Sequence, residues 1–252
     1  MAVDKLVDST QLDTDLTAVA NAIRTKGGTS AQLAFPTGFV SAVEAIPAGG
    51  GGGYSIADLA SGAPSGEIDI TGLSFSDYAF AYKKGITSVV GSGYFSGGFL
   101  FLQCSGITKV HISLTGSQSS NFFQACSGLK TVVMSQPQQG GTAFFNGCTS
   151  LEIADLNNFQ LRANYFYNNS KLATIILRKS NGITQLENAA VLNIAHFKSG
   201  GSGGTIYAPS ALISTYQSAT NWSTINGYGT ITWLPIEGSI YETQYADGTP
   251  IS

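Results

Sequence analysis

Charge is what this sequence has least of. Lys, Arg, Asp and Glu together make up 11% of its 252 residues, against roughly 25% in ordinary soluble domains. A surface built from Gly, Ser, Thr, Asn and Gln instead is weakly hydrated and weakly self-repelling. It suits a chain that packs against copies of itself or against a large assembly. The formal net charge of -3 leaves no basic footprint, which argues against nucleic acid or an anionic membrane as partner. No stretch of 18 apolar residues occurs, so no transmembrane helix is expected. Met1-Ala2-Val3-Asp4-Lys5-Leu6 lacks the basic and apolar regions of a secretory signal, and neither end carries a lipidation motif.

Groups that do chemistry are equally sparse. The two histidines are His111 and His196, and no Ser-His-Asp order or Cys/His pairing accompanies them. Glu152 and Asp155 are close in sequence but read as a solvated pair rather than a general acid and base in a cleft. The glycine clusters lack the lysine and the strand-to-helix setting of a phosphate cradle. The three cysteines, Cys104, Cys126 and Cys148, form no close Cys-x-x-Cys pair of the kind zinc needs. No cofactor, no metal and no enzymatic activity are expected.

What is present begins with a helical pattern. Leu16, Val19, Ala20 and Ile23 recur on one helix face, with Asp13 as N-cap and Gly27-Gly28 at the end. A second helix is expected from Pro36, with Phe39, Val43 and Ile46 on one face and Pro47 as its stop. Two short helices bury little alone, so Leu16, Val19, Ile23, Phe39, Val43 and Ile46 are a candidate docking face. Five glycines, 49–53, follow as a linker.

Beyond the linker the chain repeats. The cysteines are spaced 22 and 22 residues apart, and each has a Phe three residues before it: Phe101, Phe123 and Phe145. Three, six and eight residues after them stand Ile107, Val110 and Ile112; Leu129, Val132 and Met134; and Leu151, Ala154 and Leu156. A spacing of 21 extends the frame both ways. Asn169 takes the cysteine position downstream, with Phe166, Leu172, Ile175 and Leu177. Lys83 takes it upstream, with Phe80, Ile86 and Val89, and Gly91 breaks the last position. A fixed period of this length is the mark of a stacked repeat architecture.

Phe-x-x-Cys-x-x-Leu-x-x-Val-x-Leu, as in Phe123–Val132 and Phe145–Leu151, resembles a leucine-rich repeat, and more narrowly the BspA-like class of bacterial surface proteins. The resemblance covers about residues 79–180. It implies one short parallel strand per repeat, with the positions three, six and eight after the cysteine pointing inward. The phenylalanines would stack in a ladder opposite the strands and the cysteines in a second column, as small buried hydrophobes. The outward row includes Lys109 and His111, Thr131 and Val133, Ile153 and Asp155, and Thr174 and Ile176. Its apolar members mark either an interface or a surface covered by another copy or by the C-terminal segment.

The fold expected is therefore mainly β. A solenoid with parallel strands (79–199) has an N-terminal cap (54–78), a small helical segment before it (1–48) and a C-terminal α+β cap and tail (200–252). Within that tail Thr205–Pro209 reads as a last strand and Ser210–Tyr216 as a short helix capped by Ser210. Thr230–Tyr241 alternates enough for one or two more strands. Trp222, Tyr228, Trp233 and Tyr241 suit either a cap core, the favoured reading, or sugar stacking.

A second resemblance lies at the start. Val7–Leu16, continuing through Ala22–Ser30, Phe35–Val40 and Ala45-Ile46-Pro47, is similar to the opening of tail-associated proteins of phages and prophages of Gram-positive bacteria. There the N-terminal module stands ahead of exchangeable heads. This implies a virion protein of a tail tip, baseplate or fibre, made in the host cytoplasm. Residues 1–48 would contact other virion proteins. The repeats would contact a host cell-surface molecule such as a glycan, and the chain would form homo-oligomers, with trimers favoured. A bracing component without receptor binding and a bacterial surface adhesin are the alternatives.

Overall fold

The computed structural model describes residues 65–251, except 74, 76, 95–97, 116–119, 140, 199 and 227–230, together with Thr17. The chain divides into two units, Met1–Ala57 and Asp58–Ser252, and the description concerns the second. The helical pattern of the first 48 residues, its candidate face Leu16, Val19, Ile23, Phe39, Val43 and Ile46, and the glycine linker lie outside the described residues.

The described chain is mainly β. Its strands are β1 (Gly66–Asp69), β2 (Ile86–Tyr94), β3 (Lys109–Thr115), β4 (Thr131–Gln139), β5 (Ile153–Leu161), β6 (Thr174–Leu177), β7 (Gln185–Leu186), β8 (Gly204–Ala208) and β9 (Ile231–Pro235). All pair in parallel in one sheet of order β1-β2-β3-β4-β5-β6-β8-β9, with β7 on the second half of β5. Apart from β7, strands that follow one another in sequence lie side by side, so each turn of chain buries its apolar face on its neighbours.

The register follows the repeat. Val89 lies opposite Val110, Val110 opposite Val132, Val132 opposite Ala154, and Ala154 opposite Ile175. These are the residues six after Lys83, each cysteine or Asn169. Those at three, six and eight are buried in every repeat from Cys104 to Asn169. Gly91 breaks the last position in the first turn for a steric reason. Its φ is +106°, and a Cβ there would lie 2.3 Å from a carboxylate oxygen of Asp69, so a side chain would be both strained and displaced.

Opposite the strands each repeat makes a tight corner. The residues five and one before the cysteine position adopt positive φ in all five copies: Tyr78 and Tyr82, Phe99 and Gln103, Asn121 and Ala125, Ala143 and Gly147, Asn164 and Asn168. At these corners alternate N–H groups point along the solenoid. Phe99, Phe101 and Gln103 donate to the carbonyls of Ser120, Phe122 and Gln124 in the next turn. The corner thus carries a hydrogen-bond ladder of its own and satisfies its buried backbone.

Phe80, Phe101, Phe123, Phe145 and Phe166 form the expected column, stacked at 4.8–6.0 Å between ring centroids. A second column, which the sequence reading overlooked, runs beside it through Phe122, Phe144 and Tyr165. Its rings meet the first column edge-on, as in Phe144–Phe145 at 66°, the favoured arrangement for aromatic quadrupoles.

The cysteines stack as free thiols. Each Sγ donates to the carbonyl of the Phe one turn back: Cys104 to Phe80 (2.9 Å), Cys126 to Phe101 (3.0 Å) and Cys148 to Phe123 (3.2 Å). Burial pushes the Cys104 thiol up to about 11 and raises those of Cys126 and Cys148 as well. The thiolate is the reactive form. At pH 8 iodoacetamide is therefore expected to leave the folded chain unlabelled and to modify all three cysteines in denaturant, as read by intact mass. Labelling of the folded chain would show that the column is open.

After β6 the period lapses. Ile175 and its partner Ile206 are 31 residues apart, and the intervening chain holds β7 and two 3-10 turns, Ala189–Leu192 and Ala195–Phe197. The strand expected at 205–209 forms as β8, but β9 adds beyond it. Ser210 does not cap a helix through its side chain. It opens a 3-10 turn, Ser210–Leu212, that leads into α1 (Ile213–Ser218), and the Glu237 carboxylate accepts its N–H (2.9 Å). Trp222, in α2 (Trp222–Asn226), and Tyr216 are buried with their polar tips bonded to the backbone of Thr184. Both are core rather than sugar platforms. Trp233 and Tyr241 are half-buried, and Tyr228 lies outside the described residues.

Candidate functional site

The outward row of the strands was expected to be the exposed face of the sheet. The structure corrects this for half of it. Val133, Asp155 and Ile176 are fully buried, and only 19% of the His111 side chain is exposed. The C-terminal tail lies on His111 and Asp155, one of the alternatives left open above. Residues 243–251 fold back into a small hairpin, with Gln244 bridged antiparallel to Pro250 and Ile251 donating to the Thr243 carbonyl. The other column, Lys109, Thr131, Ile153 and Thr174, stays half-buried.

Polar groups clamp the hairpin to the sheet. Arg178 chelates Asp155 through Nε and Nη2, the latter at 2.7 Å. Its Nη1 donates to the Tyr241 carbonyl (2.8 Å) and Nη2 to that of Gln244 (3.0 Å). Asp155 also accepts the N–H of Ala246 (2.9 Å). One buried ion pair thus bonds three backbone groups of the tail, and the Tyr245 ring lies 4.8 Å from the guanidinium carbon. Burial pushes the Asp155 carboxyl above the ordinary range, against the opposing pull of Arg178.

The clamp has a second point. His111 Nδ1 lies 3.0 Å from Asp247 Oδ2 and, since a carboxylate has no proton to give, donates to it. Lys109 Nζ is 3.9 Å from the same oxygen. Burial disfavours the Asp247 charge, but the Thr249 N–H and the His111 ring outweigh it and hold the carboxyl below the ordinary value. A depressed carboxylate contributes stability above its unfolded value, about 3.9, and that stability is lost as pH falls through the folded value. Asp155, raised, contributes with the opposite sign. Hydrogen exchange of residues 243–251 in wild type and Asp247→Asn should therefore differ at pH 7, the variant exchanging faster, and converge only once pH has fallen through the depressed folded value, itself under about 3.9. A difference that persists in acid would remove Asp247 from the latch.

Between this hairpin and β2 an open groove of about 410 Å³ remains. Its lining combines hydroxyls from Thr71, Ser92, Ser113 and Ser135 with Lys109, His111 and Asp247. Of the eight residues of the expected face, only Lys109 and His111 reach it. The Lys109 side chain is 43% exposed. A row of neutral hydroxyls beside the exposed Lys109 ammonium offers donors and acceptors at short spacing, the chemistry that a polyhydroxylated ligand needs.

Sequence reasoning put Lys109 and His111 on the outward row but did not anticipate a groove there. It missed Asp247, 136 residues from its partner, and the clamp residues Arg178 and Tyr245. Among the described residues no three His, Cys, Asp or Glu side chains come together as a metal site, and no helix is long and apolar enough to cross a membrane.

No family model, curated protein or solved structure matches this chain.

Proposed function

We propose that this chain is a phage virion protein of the tail, baseplate or fibre whose repeat domain contacts a host cell-surface molecule such as a glycan. The single observation that supports it most is the hydroxyl-lined groove at Lys109 and His111, open beside the tail hairpin that is held on His111 and Asp155. The low charge of the chain fits a component that packs into a large assembly. On this reading the repeats are leucine-rich repeats of the BspA-like class. Residues 1–48 attach the chain to other virion proteins, and homo-oligomers, trimers above all, multiply weak single-site contacts.

The test is twofold. Antibody raised against the chain should label the tails of purified phage particles from the source strain. The full-length chain should bind the host cells, and Lys109→Glu with Ser113→Arg, which fill and recharge the groove, should reduce that binding by about tenfold or more. Unlabelled particles would sink the virion assignment. Labelled tails with no cell binding would turn the reading to a bracing component.

A further inference from the structure

We propose that a second cleft, on the corner side of the solenoid at Asn169, binds a neutral saccharide carrying an acetamido group. This deepens the cell-surface reading and rests on it for the source of the sugar, but its chemistry stands on a different part of the molecule.

The cleft has a structural cause. Through the first four repeats the corner ladder passes from turn to turn, and Gly147 donates to the Tyr167 carbonyl (2.8 Å) as its last rung. Beyond Asn168 no matching corner follows, because the chain continues as the 3-10 turns Ala189–Leu192 and Ala195–Phe197. No backbone hydrogen bond crosses from Phe166 or Asn168 to a further turn among the described residues. The gap is an open cleft of about 590 Å³, within the roughly 300–1,000 Å³ of ordinary ligand sites.

Asn169 sets the chemistry. It occupies the position that cysteine holds in the three preceding turns, where Sγ bonds the Phe carbonyl one turn back. Asn169 makes no such bond. It is 1% exposed, lines the cleft, and neither its Oδ1 nor its Nδ2 has a hydrogen-bond partner. Leaving both halves of a buried amide unpaired is costly. A group that satisfies both at once presents a donor and an acceptor side by side, which is what an acetamido group does.

The walls agree. Tyr167 is half exposed and offers a ring face for the C–H side of a sugar. Asn168, Ser170 and Asn193 offer neutral donors and acceptors for its hydroxyls. No carboxylate lines the cleft, and its one charged side chain is that of Lys198.

The test is a titration of the full-length chain with chitotriose, followed by protein-detected NMR, beside maltotriose, which has the same length and no acetamido group. Chitotriose is expected to give saturable shifts confined to residues 147–149, 167–170 and 193–198, with maltotriose at least about tenfold weaker. Asn169→Cys restores the column residue of the other turns, so the fold should hold while chitotriose affinity drops by about tenfold or more. Tyr167→Ala, at an exposed position, should weaken binding without altering the melting temperature. Absent or non-saturable shifts, equal binding of the two sugars, or unchanged affinity in Asn169→Cys would each overturn the proposal. Cell binding by the full chain that survives in Asn169→Cys would leave the surface-contact reading standing without this site.

Discussion

Asp155→Ala should destabilise the protein by roughly 3–5 kcal/mol, because it strands the partner of a buried ion pair. The Asp155 side chain is 1% exposed and that of Arg178 10%. Removing the carboxylate leaves the guanidinium with the carbonyls of Tyr241 and Gln244 and the Tyr245 ring but no counter-charge, and leaves the N–H of Ala246 without its acceptor. Both failures fall on the same hairpin, so the tail should detach before the solenoid melts. Chemical denaturation gives the overall loss, and hydrogen exchange over residues 241–251 locates it. The pair can be separated from mere packing. Arg178→Met together with Asp155→Leu removes both charges and keeps the volume, and should recover much of the loss. A double variant as unstable as Asp155→Ala would mean that the three backbone bonds, rather than the stranded charge, set the cost.

That clamp also marks where the sequence stops being legible. The repeat frame is visible in one dimension, because each inward residue meets its counterpart 21 or 22 positions away. A constant offset converts a three-dimensional contact into a periodicity. Asp155 and Arg178 are 23 apart, close to that period, and opposite charges one turn apart on the outward face were a usable hint. Asp247 and His111 share no such rule. Their contact depends on where a non-repeating tail folds back, and only the assembled structure fixes that. The second aromatic column had a plain signal in Phe122-Phe123, Phe144-Phe145 and Tyr165-Phe166. An alternating strand would send two adjacent rings to opposite faces. At these corners one ring of each pair lies next to a left-handed residue, and both turn inward. The cleft at Asn169 was half legible. The replacement of cysteine by asparagine shows in the sequence, whereas the loss of the next corner does not.

Phe123→Ala should cost about 3–5 kcal/mol, comparable to losing the ion pair but for an unrelated reason. Its ring is stacked on Phe101 (5.0 Å, 4°) and Phe145 (5.6 Å, 8°) and meets Phe122 edge-on (5.1 Å, 62°). Those neighbours sit on backbone held by the corner ladder, where Phe123 N donates to Phe144 O and Ala125 N to Asn146 O. The corner therefore cannot collapse into the space left behind, and an unrelaxed cavity is the costly kind. Because each turn is buried only by its neighbours, the loss should spread along the solenoid instead of unfolding one turn. Phe123→Leu, which keeps most of the volume, should cost less than about 1.5 kcal/mol. Equilibrium denaturation of the two variants beside wild type decides the matter. A loss for Phe123→Ala below about 0.5 kcal/mol, the level of an ordinary surface position, would mean that the ring is not part of a continuous core, and the stacking that aligns five turns would need another cause.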